Sequence, residues 1–391
     1  MTDLKIYCEG IDETASQQIL ELANFEAYKD SKIRIMPDAH AGIGCTIGTT
    51  MTLTDKATPN LVGVDIGCGM IVAELGKTFV DPMMLEKLIE KEIPSGMNIR
   101  ETEVAETKEG LALVDALRCP CGKREYNALS VGTLGGGNHF IELDEDDEGN
   151  VYLVIHSGSR NLGKKVCDYY QHLAVKERYF AGQGVIAELI ARLKAEGRAK
   201  DINDELKKLP KQRGTRDPLA YLDGKSFEDY IHDMELCQRF AELNRRTMVR
   251  VITDGLKLEP KAVWQTIHNY IDIEHMILRK GAISAREGER VIIPMNMRDG
   301  SLICIGKGNP DWNYSAPHGA GRLLSRSDAF KQIQIDDFLN DMAGIASWSV
   351  CDSTKDEAPG AYKPMESIMA QIGPTVNVER IIRPVYNYKA H

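Results

Sequence analysis

The chain has 391 residues, of which 43% are hydrophobic and 27% charged, with a formal net charge of -10 at neutral pH. These proportions exclude a disordered or fibrous chain and describe a soluble globular one, long enough to bury a large core. No apolar run approaches the roughly 20 residues of a membrane span, and an acidic chain can meet nucleic acid only through a local set of Lys and Arg.

The N-terminus lacks the basic-then-apolar layout of a secretory signal, so a cytoplasmic location without a membrane partner is expected. Nine cysteines with no framework spacing suit a reducing compartment, where thiols stay available as metal ligands. Cys119 and Cys121 have no matching second pair and read as incidental. No internal repeat is visible.

The first segment with chemistry is Gly63-Val64-Asp65-Ile66-Gly67-Cys68-Gly69. Its glycines let the backbone bend tightly enough to aim a carboxylate and a thiolate into one space. A thiolate can bridge two metals, and imidazole or carboxylate completes mixed sites for Mn, Fe, Co or Zn. Standing alone, Cys68 would be a small buried hydrophobe and Asp65 a turn former. With His139, His156 and His268 at Gly-rich or strand-end positions, ligation is the better reading.

Gly135-Gly136-Gly137-Asn138 is followed by strand-like residues, not the helix of a dinucleotide fold, and suits close approach of a nucleotide near Asn138 and Glu142. Apolar runs at 140–143 and 151–155 flank the polar stretch 144–150 and predict a hairpin. Pairing Leu143 with Tyr152 sets His139 opposite His156, on one face and about 5 Å apart at Cβ. A one-residue slip would put them on opposite faces.

Residues 164–254 are charged and mostly helical, with clear periodicity over 231–251, and read as an insertion or clasp. Within it, Lys194, Arg198, Lys200, Lys207, Lys208, Lys211 and Arg213 outnumber the acids. A solvated helical arm is favoured over an RNA-binding patch. His172, His232 and His275 read as structural or surface residues. His268 ends a strand-like run, and 291–293 and 302–305 read as further strands. In Ser315-Ala316-Pro317-His318-Gly319-Ala320-Gly321-Arg322, proline fixes the backbone before an imidazole, and small residues let a phosphate approach main-chain N–H groups. Arg322 is a candidate charge partner. Spacing does not separate a phosphorus nucleophile from a polar histidine in a Gly-rich turn.

Taken together, these stretches resemble the RtcB RNA-splicing ligases over 37 to 389. The likeness lies in Pro37-Asp38-Ala39-His40-Ala41-Gly42, the 63–69 segment, Gly135 through Glu142, His156-Ser157-Gly158-Ser159-Arg160, His268-Asn269 and His318-Gly319-Ala320-Gly321-Arg322. The resemblance implies an α+β fold. A single large domain (1–391) of mixed sheets and packed helices would surround a central metal and nucleotide pocket, with 164–254 a helical insertion.

It also implies joining of RNA 3′-phosphate or 2′,3′-cyclic phosphate ends to 5′-hydroxyl ends with GTP and two Mn²⁺ ions. Asp65, Cys68 and His139 would hold one ion, and Cys68, His156 and His268 the other. His318 would be the guanylylated nucleophile. The guanylate would be met by Asn138, His139, Phe140, Ile141, Glu142, His268, Asn269, Pro294, Met295, Asn296, Met297, Ser301, Gly319, Ala320, Gly321 and Lys389. Within this set, Glu142 would serve the base and Lys389 the phosphate. An archease-like activator is a further partner that the family suggests. The joining would serve RNA repair or tRNA splicing, and residues 294–301 depart from the smaller Gly-Ser-Met-Gly-type loop of many members, which points to a divergent branch devoted to repair of damaged RNA rather than tRNA splicing. A metal-dependent phosphodiesterase would need the metal cluster but neither His318 nor a GTP pocket, and a non-catalytic RNA-binding protein would need no turnover at all.

Overall fold

The computed structural model describes residues 2–208 and 217–390. A five-stranded sheet runs in the order β1 (Asp3–Ile6), β2 (Lys32–His40), β3 (Ile47–Thr52), β11 (Ile277–Lys280), β10 (Asn269–Asp272). A seven-stranded antiparallel sheet has the order β13 (Arg290–Asn296), β14 (Gly300–Gly306), β16 (Val376–Lys389), β6 (Phe140–Glu145), β7 (Val151–Ser157), β5 (Gly69–Gly76), β9 (Ala262–Ile267). Two short pairs, β12 (Ala282–Ser284) with β15 (Ser315–Pro317) and β4 (Lys56–Ala57) with β8 (Leu222–Asp223), complete the strands. With long helices packed on these sheets, the architecture is α+β, as expected.

The seven-stranded sheet curls until its edges meet. Met70, Val72, Phe140, Tyr152, Val154, Ile292, Ile303 and Ile382 form one cluster with Trp264, so every strand of the sheet feeds the same concave core. At the seam the Arg290 guanidinium lies 4.9 Å from the Trp264 ring centre, and both residues hold the Glu74 carboxylate. Closing the sheet in this way leaves little edge to pair with another chain. The alternate residues Ile71, Ala73, Ile141, Leu143, Leu153 and Ile155 face outward onto helices Pro82–Glu92 and Gly224–Leu256, through Leu85, Ile89, Met248 and Ile252. Period two along the strands therefore divides two cores.

The hairpin forms, but its register differs from the expected one by a residue. Leu143 pairs with Leu153, and Phe140, not His139, lies opposite His156. The turn is shorter than its polarity suggested, because the Asp146 carboxylate accepts from the backbone N–H of Glu148 (3.0 Å) and Asn150 (2.8 Å) and closes it locally. Asp144 and Glu145, read as turn residues, belong to β6, and Asp144 is fully buried.

The predicted helical stretch forms helices Arg160–Ala195, Ile202–Lys208 and Gly224–Leu256. The last passes directly behind the strand ends that carry Cys68 and His156. Fully buried Arg245 donates to Gly67 O and Ser157 O, both at 2.8 Å, and to Gln265 Oε1. Asn244 joins the same backbone through Ser157 Oγ and Gly158 O. Arg245→Ala strands two buried carbonyls, so it is expected to lower unfolding free energy by about 2–3 kcal/mol. Urea unfolding would show a lower midpoint at constant slope, and an unchanged midpoint would mean that other donors replace the guanidinium.

Candidate metal and nucleotide site

The candidate ligands come from adjacent strand ends at one end of the curled sheet. Cys68 immediately precedes β5, His139 precedes β6, His156 lies near the end of β7, and His268 follows β9. Because His139 sits in the turn before its strand, its ring is free of strand alternation. It meets His156 at 5.2 Å between ring centres despite the shifted register.

Cys68 Sγ lies 3.4 Å from His139 Nε2 and 3.3 Å from His156 Nε2, which is itself 3.4 Å from His268 Nε2. His139 and His156 each donate Nδ1–H to a backbone carbonyl, of Leu134 (2.8 Å) and Asn138 (3.1 Å). Their Nε2 atoms therefore carry lone pairs that converge on the sulfur. Asp65 Oδ2 stands 3.1 Å from His139 Nε2. Burial, then the neighbouring imidazoles and other cationic groups, holds His156 and His268 well below the usual histidine range. Buried Cys68, His139 and His156 thus form a group able to hold a metal ion, with Asp65 and His268 at its margins. Gly158 is required beside it, since a Cβ there would stand 2.3–2.5 Å from the Asp65 carboxylate. Arg160, which opens the next helix, takes the left-handed conformation (φ 59°) and donates to Thr133 Oγ1 and Gly96 O beside Asp65.

His318 directly follows β15, with its ring centre 4.9 Å from that of His268. Asp38, 0% exposed at the end of β2, accepts through one oxygen from His318 Nδ1 (2.7 Å), His318 N (3.1 Å) and Gly319 N (3.2 Å). That arrangement keeps the proton on Nδ1 and leaves the Nε2 lone pair for chemistry. Gly321 (φ 76°) allows the close approach, since a Cβ there would lie 2.4 Å from Asp38 O. Asp38 had no assigned role in the sequence, although a carboxylate shortly after the β-branched, strand-like run Ile33-Arg34-Ile35-Met36 is a visible anomaly.

A cavity of about 460 Å³ extends from this centre and is lined by Asn138, Phe140, Glu142, His156, His268, Pro294, Met295, Asn296, Met297, His318, Gly319, Ala320, Gly321 and Lys389, together with His40, Arg322, Arg326, Glu357 and Tyr362. Of the expected nucleotide contacts, His139, Ile141, Asn269 and Ser301 fall outside the lining. His139 serves the metal group, and Ile141 points into the outer core. Asn269 braces Gly281 N (3.0 Å) and Asp65 O (3.3 Å), while Ser301 is buried on β14.

Beside Phe140, Lys389 pairs with Glu357 at 2.7 Å, both nearly fully buried. Burial would raise Glu357, but Lys389 and Arg326 hold it down at about 2. No sequence motif pointed to Glu357, which lies in a short 3-10 segment. Arg322, the expected phosphate partner, is engaged by Glu357 (3.4 Å) and Tyr362 (3.2 Å). Glu142 is pushed up to about 7 by burial, against the opposing pull of Asn387 and Lys389.

His172, His232 and His275 are satisfied locally, by Asp168 O, Asp233 and Asp272 respectively. In the basic stretch, Arg198 pairs with Glu196 and Asp201, and Lys207 with Asp204. Lys211 and Arg213 lie outside the described residues.

Cys68→Ser exchanges a thiolate for a hydroxyl that stays protonated, so metal content measured after dialysis should fall sharply. Gly158→Ala should weaken metal retention more mildly by displacing Asp65, and His172→Ala should leave it unchanged. Full metal content in Cys68→Ser would remove the sulfur from the site.

The family model described as tRNA-splicing ligase RtcB matches residues 18–118 and 99–390. The chain is 31% identical to the RNA-splicing ligase RtcB of Escherichia coli K12, covering 98% of this chain and 96% of that protein. It is 26% identical to the tRNA-splicing ligase RtcB of Aeropyrum pernix, over 90% and 86% of the two chains. With that of Thermococcus kodakarensis the identity is 25%, over 86% and 82%. With the family model matching nearly the whole of this chain, and the Escherichia coli relative aligned almost end to end, the chain belongs to the RtcB family.

Proposed function

We propose that this protein is an RNA ligase that uses GTP and manganese to join RNA 3′-phosphate or 2′,3′-cyclic phosphate ends to 5′-hydroxyl ends through a guanylate carried on His318. The observation that carries the reading is the placement of His318 between Asp38, which holds its Nδ1–H, and the Cys/His group, within a cavity that also reaches Glu142 and Lys389. A phosphodiesterase needs the metal group but has no use for an imidazole so oriented.

In this reading Asp65, Cys68 and His139 hold one Mn²⁺, and Cys68, His156 and His268 the other. Such ions, when bound, neutralise charge on the phosphates that react. The chain's own part begins with His318 Nε2, which attacks the α-phosphorus of GTP; the N–P bond forms as the bond to pyrophosphate breaks. Asp38 steadies the ring as its charge develops. The RNA 3′-phosphate then takes the guanylate from Nε2, and the 5′-hydroxyl of the second RNA attacks that activated phosphorus and releases GMP. Glu142 accepts from the guanine edge and Phe140 offers a face against the nucleotide. Asn138, Gly319 and Ala320 let the phosphates approach the backbone. Lys389, paired with Glu357 beside Phe140, meets the nucleotide phosphate. RNA repair and tRNA splicing both supply ends of the required kind, and an archease-like activator belongs to the same proposal.

GTP labelled at the α-phosphorus should leave acid-labile, base-stable label on the denatured protein. His318→Ala should abolish the label and ligation of 3′-phosphate RNA, keep its metal, and still join RNA whose 3′ end carries guanylate in advance. Asp38→Ala removes the acceptor of Nδ1–H, so neither the tautomer nor the orientation of the ring is held. Labelling should fall by about four orders of magnitude, on the scale of removing the carboxylate of a catalytic triad, with metal content retained. Label persisting on His318→Ala would sink the assignment of that residue.

Because Arg198 and Lys207 are already paired within the helical arm, Lys207→Glu should leave RNA affinity within about twofold at moderate salt, whereas a true phosphate contact would weaken it and reduce its salt dependence. A clear loss of affinity with a shallower salt slope would place the arm on the RNA.

A further inference from the structure

Asp144 is 0% exposed on the concave face of the curled sheet, two residues beyond Glu142, and neither of its oxygens has a hydrogen-bond partner among the described residues. Asn387 lies opposite Glu142 on β16 and donates its amide N–H to Glu142 Oε1 at 2.5 Å, while its own Oδ1 is buried and without a donor. The charged and titratable groups around Asp144 are committed elsewhere. Tyr152, directly opposite on β7, donates to Asp146 at 2.9 Å, and Arg380 of β16 holds both Asp146 and that hydroxyl. Lys389 is paired with Glu357.

A dry carboxylate with no donor and another carboxylate on the same strand face is far costlier than a neutral acid. Burial and the Glu142 charge accordingly push Asp144 well above the usual carboxyl range. A neutral acid has one O–H to place, and the neighbouring strand offers an acceptor that lacks a donor.

We propose that Asp144 is a positioning residue for base selection: its O–H donates to Asn387 Oδ1, which commits the amide N–H to Glu142 and leaves Glu142 as a pure acceptor toward the nucleobase. Guanine presents two donors on that edge, N1–H and the N2 amino group, whereas adenine presents an acceptor at N1. The chain Asp144 to Asn387 to Glu142 therefore favours guanine and rejects adenine. Without the donor at 144, the Asn387 amide is free to turn its oxygen toward Glu142, which opposes the ionised form. This inference rests on the reading of Glu142 as the base contact.

The test compares GTP and ATP binding to the full-length, metal-loaded protein for wild type, Asp144→Leu, Asp144→Asn and Glu142→Gln. Asp144→Leu should cost about tenfold in GTP affinity, roughly the worth of one hydrogen bond, and leave ATP binding as it was. Asp144→Asn keeps a donor and should stay within about twofold of wild type. Infrared difference spectra of wild type against Asp144→Asn should show the C=O stretch of a protonated acid. If Glu142→Gln loses guanine preference while Asp144→Leu keeps it, the role of Asp144 is overturned and the base contact stands. If Glu142→Gln keeps it too, the base contact falls and the inference with it. Should Asp144→Leu not fold, the infrared comparison decides, and carboxylate bands in place of the acid band would overturn the proposal.

Discussion

The sulfur of Cys68 and the Nε2 atoms of three imidazoles meet within 3.3–3.4 Å at the ends of adjacent strands, and this convergence is the constraint around which the rest of the molecule is arranged. The Nε2 lone pairs of His139 and His156 both face the sulfur, so the rings are held there from outside. The outer ring nitrogens of His139 and His156 are tied to backbone carbonyls, and Arg245 and Asn244 clamp the backbone behind them from a helix more than a hundred residues away in sequence from Cys68. A buried guanidinium with no carboxylate bonded to it is costly by itself. Here it helps to offset the negative charge of Asp65.

The curled sheet turns this cluster into one end of a cavity instead of a surface patch. Phe140, Glu142, Asn387 and Lys389 share the concave face with His156, because antiparallel partners point the same way. The segment carrying His318 is brought alongside by the short pairing of β12 with β15 and by the Asp38 carboxylate at the end of a different sheet. The His318 ring thus depends on two sheets at once, and its orientation is set by a fully buried carboxylate. Three acceptances converge on one Asp38 oxygen, which ties the ring and the following backbone into a single unit.

Charge is treated differently along the cavity wall. Lys389 and Arg326 pair with Glu357 and hold its carboxyl ionised. Around Glu142 and Asp144, burial opposes charge and few donors are supplied. Paired ions suit a place where a phosphate or sugar is met by fixed charge. A sparsely solvated carboxyl suits the reading of a base edge, where a mismatched partner leaves a buried polar group unsatisfied.

Much of the site could be read along the chain because its chemistry is carried by short motifs. Gly63 through Gly69, His139, His156, His268 and the His318 turn hold their roles through local backbone form, and glycine or proline beside a ligand is visible in one dimension. The strands at 291–293 and 302–305 and the helices of 164–254 were equally legible, since their periodicity is local. The hairpin register was not: one carboxylate closing its own turn moved the pairing by a residue, and Asp144, whose acidity marked it as loop, became a buried strand residue. Asp38, Arg245, Glu357 and Asn387 carry no local signal for what they do, because each acts on a partner more than 30 residues away, on another strand or helix. Sequence alone thus determined which short motifs set thiol, imidazole and carboxylate groups beside glycine or proline. Only the tertiary structure decided which nitrogen of His318 is free, which carbonyls a buried arginine must hold, and which carboxyl lies in the dry interior beyond Glu142, because burial and hydrogen-bond partnership are properties of the packed whole.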